Sequence, residues 1–166
     1  MEQPAAGNGQ RVAGLSKIGT KSTTPAPAGV FRLPVRVYYQ DTDAGGVVFH
    51  AQYLAFMERA RTEYLNELGL DLSRFVEESG VLFLVHEIAV RYHRPAMLNE
   101  VLSVTAEVGS TGPASLVFAQ RVERGSELLV DAEIRLALVD RNRLRPARMP
   151  ETLKRLLGKS TMKPTP

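Results

Sequence analysis

From about residue 33 the chain alternates. Val35, Val37 and Tyr39 fall on one side of the pattern and Arg36, Tyr38 and Gln40 on the other, which predicts a strand. A polar turn, Asp41-Thr-Asp-Ala-Gly-Gly46, interrupts it. From about His50 the period lengthens. Tyr53, Met57, Ala60, Tyr64 and Leu68 recur every three to four residues, with Glu58, Arg61, Glu63 and Glu67 off the stripe. That spacing predicts an amphipathic helix stopped at Gly69. Asp71 can cap a short second helix to about Glu78, ended by Gly80. Four strands follow with no helix between them. Leu84, His86, Ile88, Val90 and Tyr92 line one face of the first, and Glu87, Ala89, Arg91 and His93 the other. Leu102, Val104, Ala106 and Val108 mark the second, and Leu116, Phe118, Gln120 and Val122 the third. Residues 128–139 give the longest alternation, and a last short helix fits residues 150–157.

The order is β-α-(α)-β-β-β-β. Strands joined by tight turns make an antiparallel sheet, so the fold class is α+β, with one long helix covering one face. Five strands leave two open edges, which a second subunit can pair. The expected domain spans residues 31–157. Residues 1–30 and 158–166 are poor in large apolar groups and rich in Pro, Gly, Ser or Thr, and both read as disordered tails. Arg11, Lys17 and Lys21 among Ser and Thr have a faint transit-peptide composition, but no regular amphipathic face accompanies them.

The 166 residues contain no cysteine, which excludes a disulfide framework, a thiolate metal site and a cysteine nucleophile. The formal charge is +3, too small an excess to demand nucleic acid. No apolar run is long enough to span a bilayer, and no secretory apolar region opens the chain. A cytoplasmic protein is expected.

The Asp41–Gly46 turn has four chemical readings. As a calcium loop it fails at two ligand positions, occupied by Gly45 and Gln52. As an aspartyl-phosphate site it sits before antiparallel strands, the wrong sheet. As a phosphate cradle it lacks a following Lys and carries two repelling carboxylates. As a catalytic carboxylate at a strand-to-helix turn it fits: glycines permit close substrate approach, and nearby amides can stabilise charge on a carbonyl oxygen. A carboxylate there can attack an acyl group or activate water. On the local sequence alone, a turn whose Asp caps the helix is favoured over this.

The stretch RVYYQDTDAGGVVFHAQY resembles the active-site signature of the 4-hydroxybenzoyl-CoA thioesterase family, through Arg36, Val37, Thr42, Asp43, Gly46, Val47 and Val48. Residues 38–65 look like its YbgC-type, tol–pal-associated acyl-CoA thioesterase subgroup nearly throughout, and RYHRPAMLNEVLSV is similar to the subgroup's second strand and turn. The likeness covers about residues 35–139. It implies a hotdog fold, with a five-stranded antiparallel sheet wrapped around a long central helix. It implies that Asp43 is the catalytic carboxylate, as nucleophile or general base; turn chemistry makes Asp41 a turn or supporting group. His50 is expected to orient the substrate or Asp43, or else to make a helix-start contact. Amides near Gly46, Val47 and Val48, or near residues 81–83 of a second subunit, would polarise the thioester carbonyl. Glu58 is expected to face a neighbouring site or to pair with an arginine. His86 is expected in the core.

A CoA substrate carries phosphates, so cations should line its entrance. Arg91, His93 and Arg94 are one candidate group, and Arg141, Arg143, Arg145 and Arg148 another. The resemblance implies no metal and no cofactor. The implied partners are acyl-CoA, with acyl carrier protein as an alternative carrier, and further copies of the chain as a homodimer or homotetramer. Two rivals stand beside hydrolysis. One is a hotdog dehydratase or isomerase using His50, against which the Thr-Asp signature speaks. The other is a binding module for acyl carrier protein or lipid-synthesis enzymes.

Overall fold

The structure, a computed structural model, describes residues 30–160. The expected tails lie outside that range, except for residue 30 and residues 158–160. The elements follow in the order β1 (Phe31–Arg36), α1 (Gln52–Glu67), α2 (Leu72–Ser79), β2 (Val81–Tyr92), β3 (Val101–Gly112), β4 (Ser115–Arg124), β5 (Glu127–Asp140) and α3 (Glu151–Ser160). The strands form one antiparallel sheet in the order β1-β3-β4-β5-β2. α1 lies on β1, β3 and β4, the arrangement of a hotdog domain. α3 runs to Ser160, beyond the expected end of that helix. No helix among the described residues is long and apolar enough to cross a membrane.

Local chemistry accounts for the breaks. The Asp71 side chain accepts the Arg74 amide at 2.9 Å and caps α2, and Gly80 ends it at φ 67°. The first strand is shorter than its alternation predicts. Val37 is still extended and pairs with the backbone of Asn99 and Glu100, but Tyr39 opens a 3-10 turn, Tyr39–Asp41, and is 82% exposed. The Asp41 carboxylate causes this by drawing in the Tyr38 amide at 2.8 Å.

β2 departs further from strict alternation. The register slips between Val85 and Glu87, so His86 is an extra residue in a bulge. A bulge reverses which face later residues occupy. Val85 opposes Leu136 and Ile88 opposes Ile134, both on the buried side of β5. Leu84 therefore points away from Ile88, not with it, and His86 is exposed instead of in the core.

β5, the longest strand, is paired on both sides, so among the described residues the open edges are β1 and β2. α1 buries Tyr53, Phe56, Met57, Ala60, Tyr64 and Leu65 against Val104, Leu116, Phe118, Ile134 and Leu138. The Tyr64 and Phe118 rings meet edge to face with centroids 5.9 Å apart. Phe118 is fully buried. Phe118→Ala should therefore cost about 3–5 kcal/mol in a urea melt, the usual range for emptying an aromatic core site. A loss below about 1 kcal/mol would contradict this packing.

Candidate active site

The turn between β1 and α1 holds two aspartates in different states. Asp41 is only 2% exposed. Its carboxylate accepts the Tyr38 amide at 2.8 Å and the Gln52 side-chain amide at 2.7 Å, and its carbonyl accepts the Phe49 amide at 2.9 Å. It ties the end of β1 to the first residue of α1. Asp41→Ala would leave those donors unsatisfied and should lower stability by about 2–3 kcal/mol, read as an earlier denaturant midpoint. An unchanged midpoint would remove Asp41 as the anchor of the turn.

Asp43 is exposed in the single chain. One carboxylate oxygen accepts the Gly45 amide at 2.8 Å, and the other has no partner among the described residues. The Asp43 backbone closes the turn by bonding Val47 and Gly46. The two glycines differ in what they permit. A Cβ on Gly45 would stand 3.1 Å from the Asp43 Oδ1, and Gly46 has φ +74°. Neither aspartate caps α1, whose N-cap is Ala51 without a side-chain bond. The capping reading of the turn therefore has no counterpart in the geometry.

Asp43 borders a cavity of about 340 Å³ that also touches Val47, Val48, His50, Tyr53 and Tyr92. The His50 ring packs on Phe49 at 4.3 Å, and its carbonyl accepts the Tyr92 hydroxyl at 2.9 Å. The Tyr53 hydroxyl accepts the Ala96 amide at 2.8 Å, and burial raises its pKa above the ordinary tyrosine value, so it stays protonated. Of the amides expected to polarise a carbonyl, Gly46 is committed to Asp43 and Val48 to Ala96. Those of Val47, His50 and Ala51 find no partner among the described residues. His50 and Ala51 stand at the start of α1, where the helix dipole adds positive potential.

The basic group at the end of β2 is less free than its sequence suggests. The His93 ring meets Asp131 at 2.5 Å, and Arg94 pairs with Glu127 at 2.9 Å. Arg124 bridges Glu127 and Glu100 beside them. Arg91 makes no ion pair among the described residues and lies across from Asp131. Arg141, Arg143, Arg145 and Arg148 are exposed and also make no ion pair among the described residues. The Arg141 amide bonds the Gly80 carbonyl, which places this group beside the start of β2, the end far from Asp43.

Glu58 is not with Asp43. It is exposed, accepts the Thr62 hydroxyl at 3.0 Å, and borders a second cavity of about 290 Å³ with Leu82, Phe83, Val85 and Arg61. Arg61 is 8% exposed, although its charge placed it off the helix stripe. Its spacing from Met57 and Leu65, four residues each way, was the signal that it faces inward. Burial lowers its pKa below that of an ordinary guanidinium, and Glu58 acts in the opposite direction. Among the described residues no cluster of three or more His, Asp or Glu side chains is placed to hold a metal ion.

The thioesterase superfamily model matches residues 45–130. The acyl-CoA thioesterase YbgC of Haemophilus influenzae is 44% identical over 124 residues, covering 75% of this chain and 91% of the relative. The acyl-CoA thioester hydrolase YbgC of Escherichia coli O6:H1 is 43% identical over 125 residues, covering 75% and 92%. Among solved structures, a probable thioesterase from Bartonella henselae superposes with TM-score 0.68 at 31% identity, covering 73% of this chain and 99% of that one. A hypothetical protein from Thermus thermophilus gives TM-score 0.71 at 34% identity, covering 77% and 97%.

Proposed function

The chain belongs to the thioesterase superfamily, among its YbgC-type members, and from that premise we propose that it hydrolyses acyl-CoA to a free acid and CoA with Asp43 as the reacting carboxylate. One observation carries the reading. The unpartnered Asp43 oxygen borders the same cavity as the start of α1, where unbonded amides collect. A thioester bound there has its carbonyl oxygen at those amides and its carbonyl carbon at Asp43. Either Asp43 attacks the carbon, expelling CoA thiolate, and water then hydrolyses the anhydride, or Asp43 takes the proton of an attacking water. Each route consumes one water and yields one acid and one thiol. Negative charge grows on the carbonyl oxygen in both, and fixed amides stabilise it most there. The His50 ring and the neutral Tyr53 hydroxyl border the same space and orient the acyl group.

The reading includes a partner subunit. β2 is an open edge that leaves Leu84, Val85, Ile88 and Tyr92 exposed, an apolar strand that a lone protein rarely leaves uncovered. Two such edges paired antiparallel about a two-fold axis set the start of one strand against the end of the other. The Asp43 cavity lies at the Tyr92 end, and the Glu58 cavity and the four-arginine group lie at the Val81 end. Pairing then joins each Asp43 to residues 81–83 of the partner subunit. It also brings unpaired arginines to the mouth, where CoA phosphates need them.

The test is product identification by mass spectrometry. Crotonyl-CoA, hexanoyl-CoA, benzoyl-CoA and hexanoyl-acyl carrier protein are incubated with the purified chain. Free acid and free CoA are expected from the CoA thioesters. Interconversion of crotonyl and 3-hydroxybutyryl thioesters would favour a dehydratase. Tight binding without turnover would favour a binding module.

A further inference from the structure

Arg61 is a buried cation that the reaction does not use. It projects from the middle of α1 and donates through Nη1 to the Gln120 Oε1 at 2.7 Å. It makes no other hydrogen bond and no ion pair among the described residues. Gln120 takes only this one bond from the fork. It is buried, its oxygen takes Arg61, and its amide nitrogen donates to the carbonyls of Met57 and Thr105. A guanidinium stays charged in proteins and carries a fork of donors, so most of that fork is unused. Leaving the donors of a buried cation without acceptors is costly. No side-chain nitrogen among the described residues is both fully enclosed and unbonded. The free side of the fork therefore opens on the cavity that Arg61 lines with Leu65, Leu72, Val76, Phe83 and Leu136.

That cavity combines apolar walls with one buried cation. A hydrocarbon alone would fill the walls and leave the guanidinium without a partner. An oxygen acceptor alone would waste the walls. A short chain that ends in an oxygen satisfies both. We propose that, across the paired β2 edges, this cavity of one subunit takes the far end of the acyl group held at Asp43 of the other, and that Arg61 selects chains ending in an oxygen acceptor, a carboxylate or a hydroxyl, over plain alkyl chains of equal length. The inference rests on the hydrolase reading for the CoA end of the ligand and on the paired β2 edges, which set the two cavities side by side. Glu58 is the one acidic group at this cavity. Its charge favours the Arg61 cation through space, but it is exposed, accepts from Thr62, and makes no hydrogen bond to the guanidinium, whose remaining donors stay without an acceptor.

Binding of non-hydrolysable thioethers tests this separately from turnover. S-hexyl-CoA, S-(6-hydroxyhexyl)-CoA and S-(5-carboxypentyl)-CoA differ only at the far end. Titration calorimetry on the wild-type chain should give at least about tenfold tighter binding of the oxygen-ended ligands than of S-hexyl-CoA, the value of one bond to a charged donor. The two oxygen-ended arms separate a neutral acceptor from an anionic one. In Arg61→Met the ratio should collapse towards one, and in Arg61→Lys it should fall without vanishing. A flat wild-type ratio overturns the proposal with no variant needed. So does a ratio that survives in Arg61→Met with native circular dichroism. Thiol release from hexanoyl-CoA, measured alongside, reports on the hydrolase reading independently of that ratio.

Discussion

Asp43→Asn is expected to fold normally and to lose at least about a hundredfold in kcat/KM on acyl-CoA, the usual scale for a lost acid–base or nucleophilic group. The amide keeps an oxygen for the Gly45 amide and is nearly isosteric, so the turn stays closed. It removes the negative charge on the oxygen that has no partner. Melting temperature separates this change from one at Asp41. Asp43→Asn should move activity and not stability, whereas Asp41→Ala should move stability first. Near-normal turnover by Asp43→Asn would show that another group does the chemistry.

Ile88→Asp is expected to give a monomer and to abolish most activity. Ile88 lies near the middle of the open edge β2, 40% exposed and on the face shared with Ile134. Under a two-fold pairing of this strand with its own copy, residues near the middle meet their counterparts. Two carboxylates would then be set close together in a desolvated interface, which opposes association strongly. Each Asp43 would lose residues 81–83 of the partner subunit. Complementation gives the converse result. Mixing Asp43→Asn subunits with Phe83→Asp subunits should form hybrids with one intact site, returning about a quarter of wild-type activity if the subunits pair at random. Light scattering that shows Ile88→Asp still dimeric and active would move the interface elsewhere on the molecule.

The order of elements and the long helix covering one sheet face were legible because they rest on local periodicity, whereas the wrap of the sheet around that helix came from the family resemblance. The caps at Asp71 and Gly80 were legible for the same reason. The bulge at His86 was not. One extra residue leaves the apolar count intact and only inverts its sense, so Leu84 and Ile88 look alike in sequence and face opposite ways. Tyr39 continued an alternation that the Asp41 side chain overrides. At the site, Asp43 and its glycines could be found from their spacing and from resemblance. Asp41 was already set apart as a turn or supporting group, but the bonds that hold it, from Tyr38, Phe49 and Gln52, have no signal in the spacing. The pairing of Arg94 with Glu127 and of His93 with Asp131 joins separate strands, and no local pattern announces it. Arg61 was hidden by its charge, although its position between Met57 and Leu65 belongs to the buried face.

The most direct measurement is thiol release from hexanoyl-CoA by the purified wild-type chain, followed with a thiol reagent beside quantitation of hexanoic acid. The account predicts saturable release, one acid for each thiol, at a rate far above the enzyme-free control. No release above that control from hexanoyl-CoA or any other short acyl-CoA, by a folded dimeric chain, would contradict it.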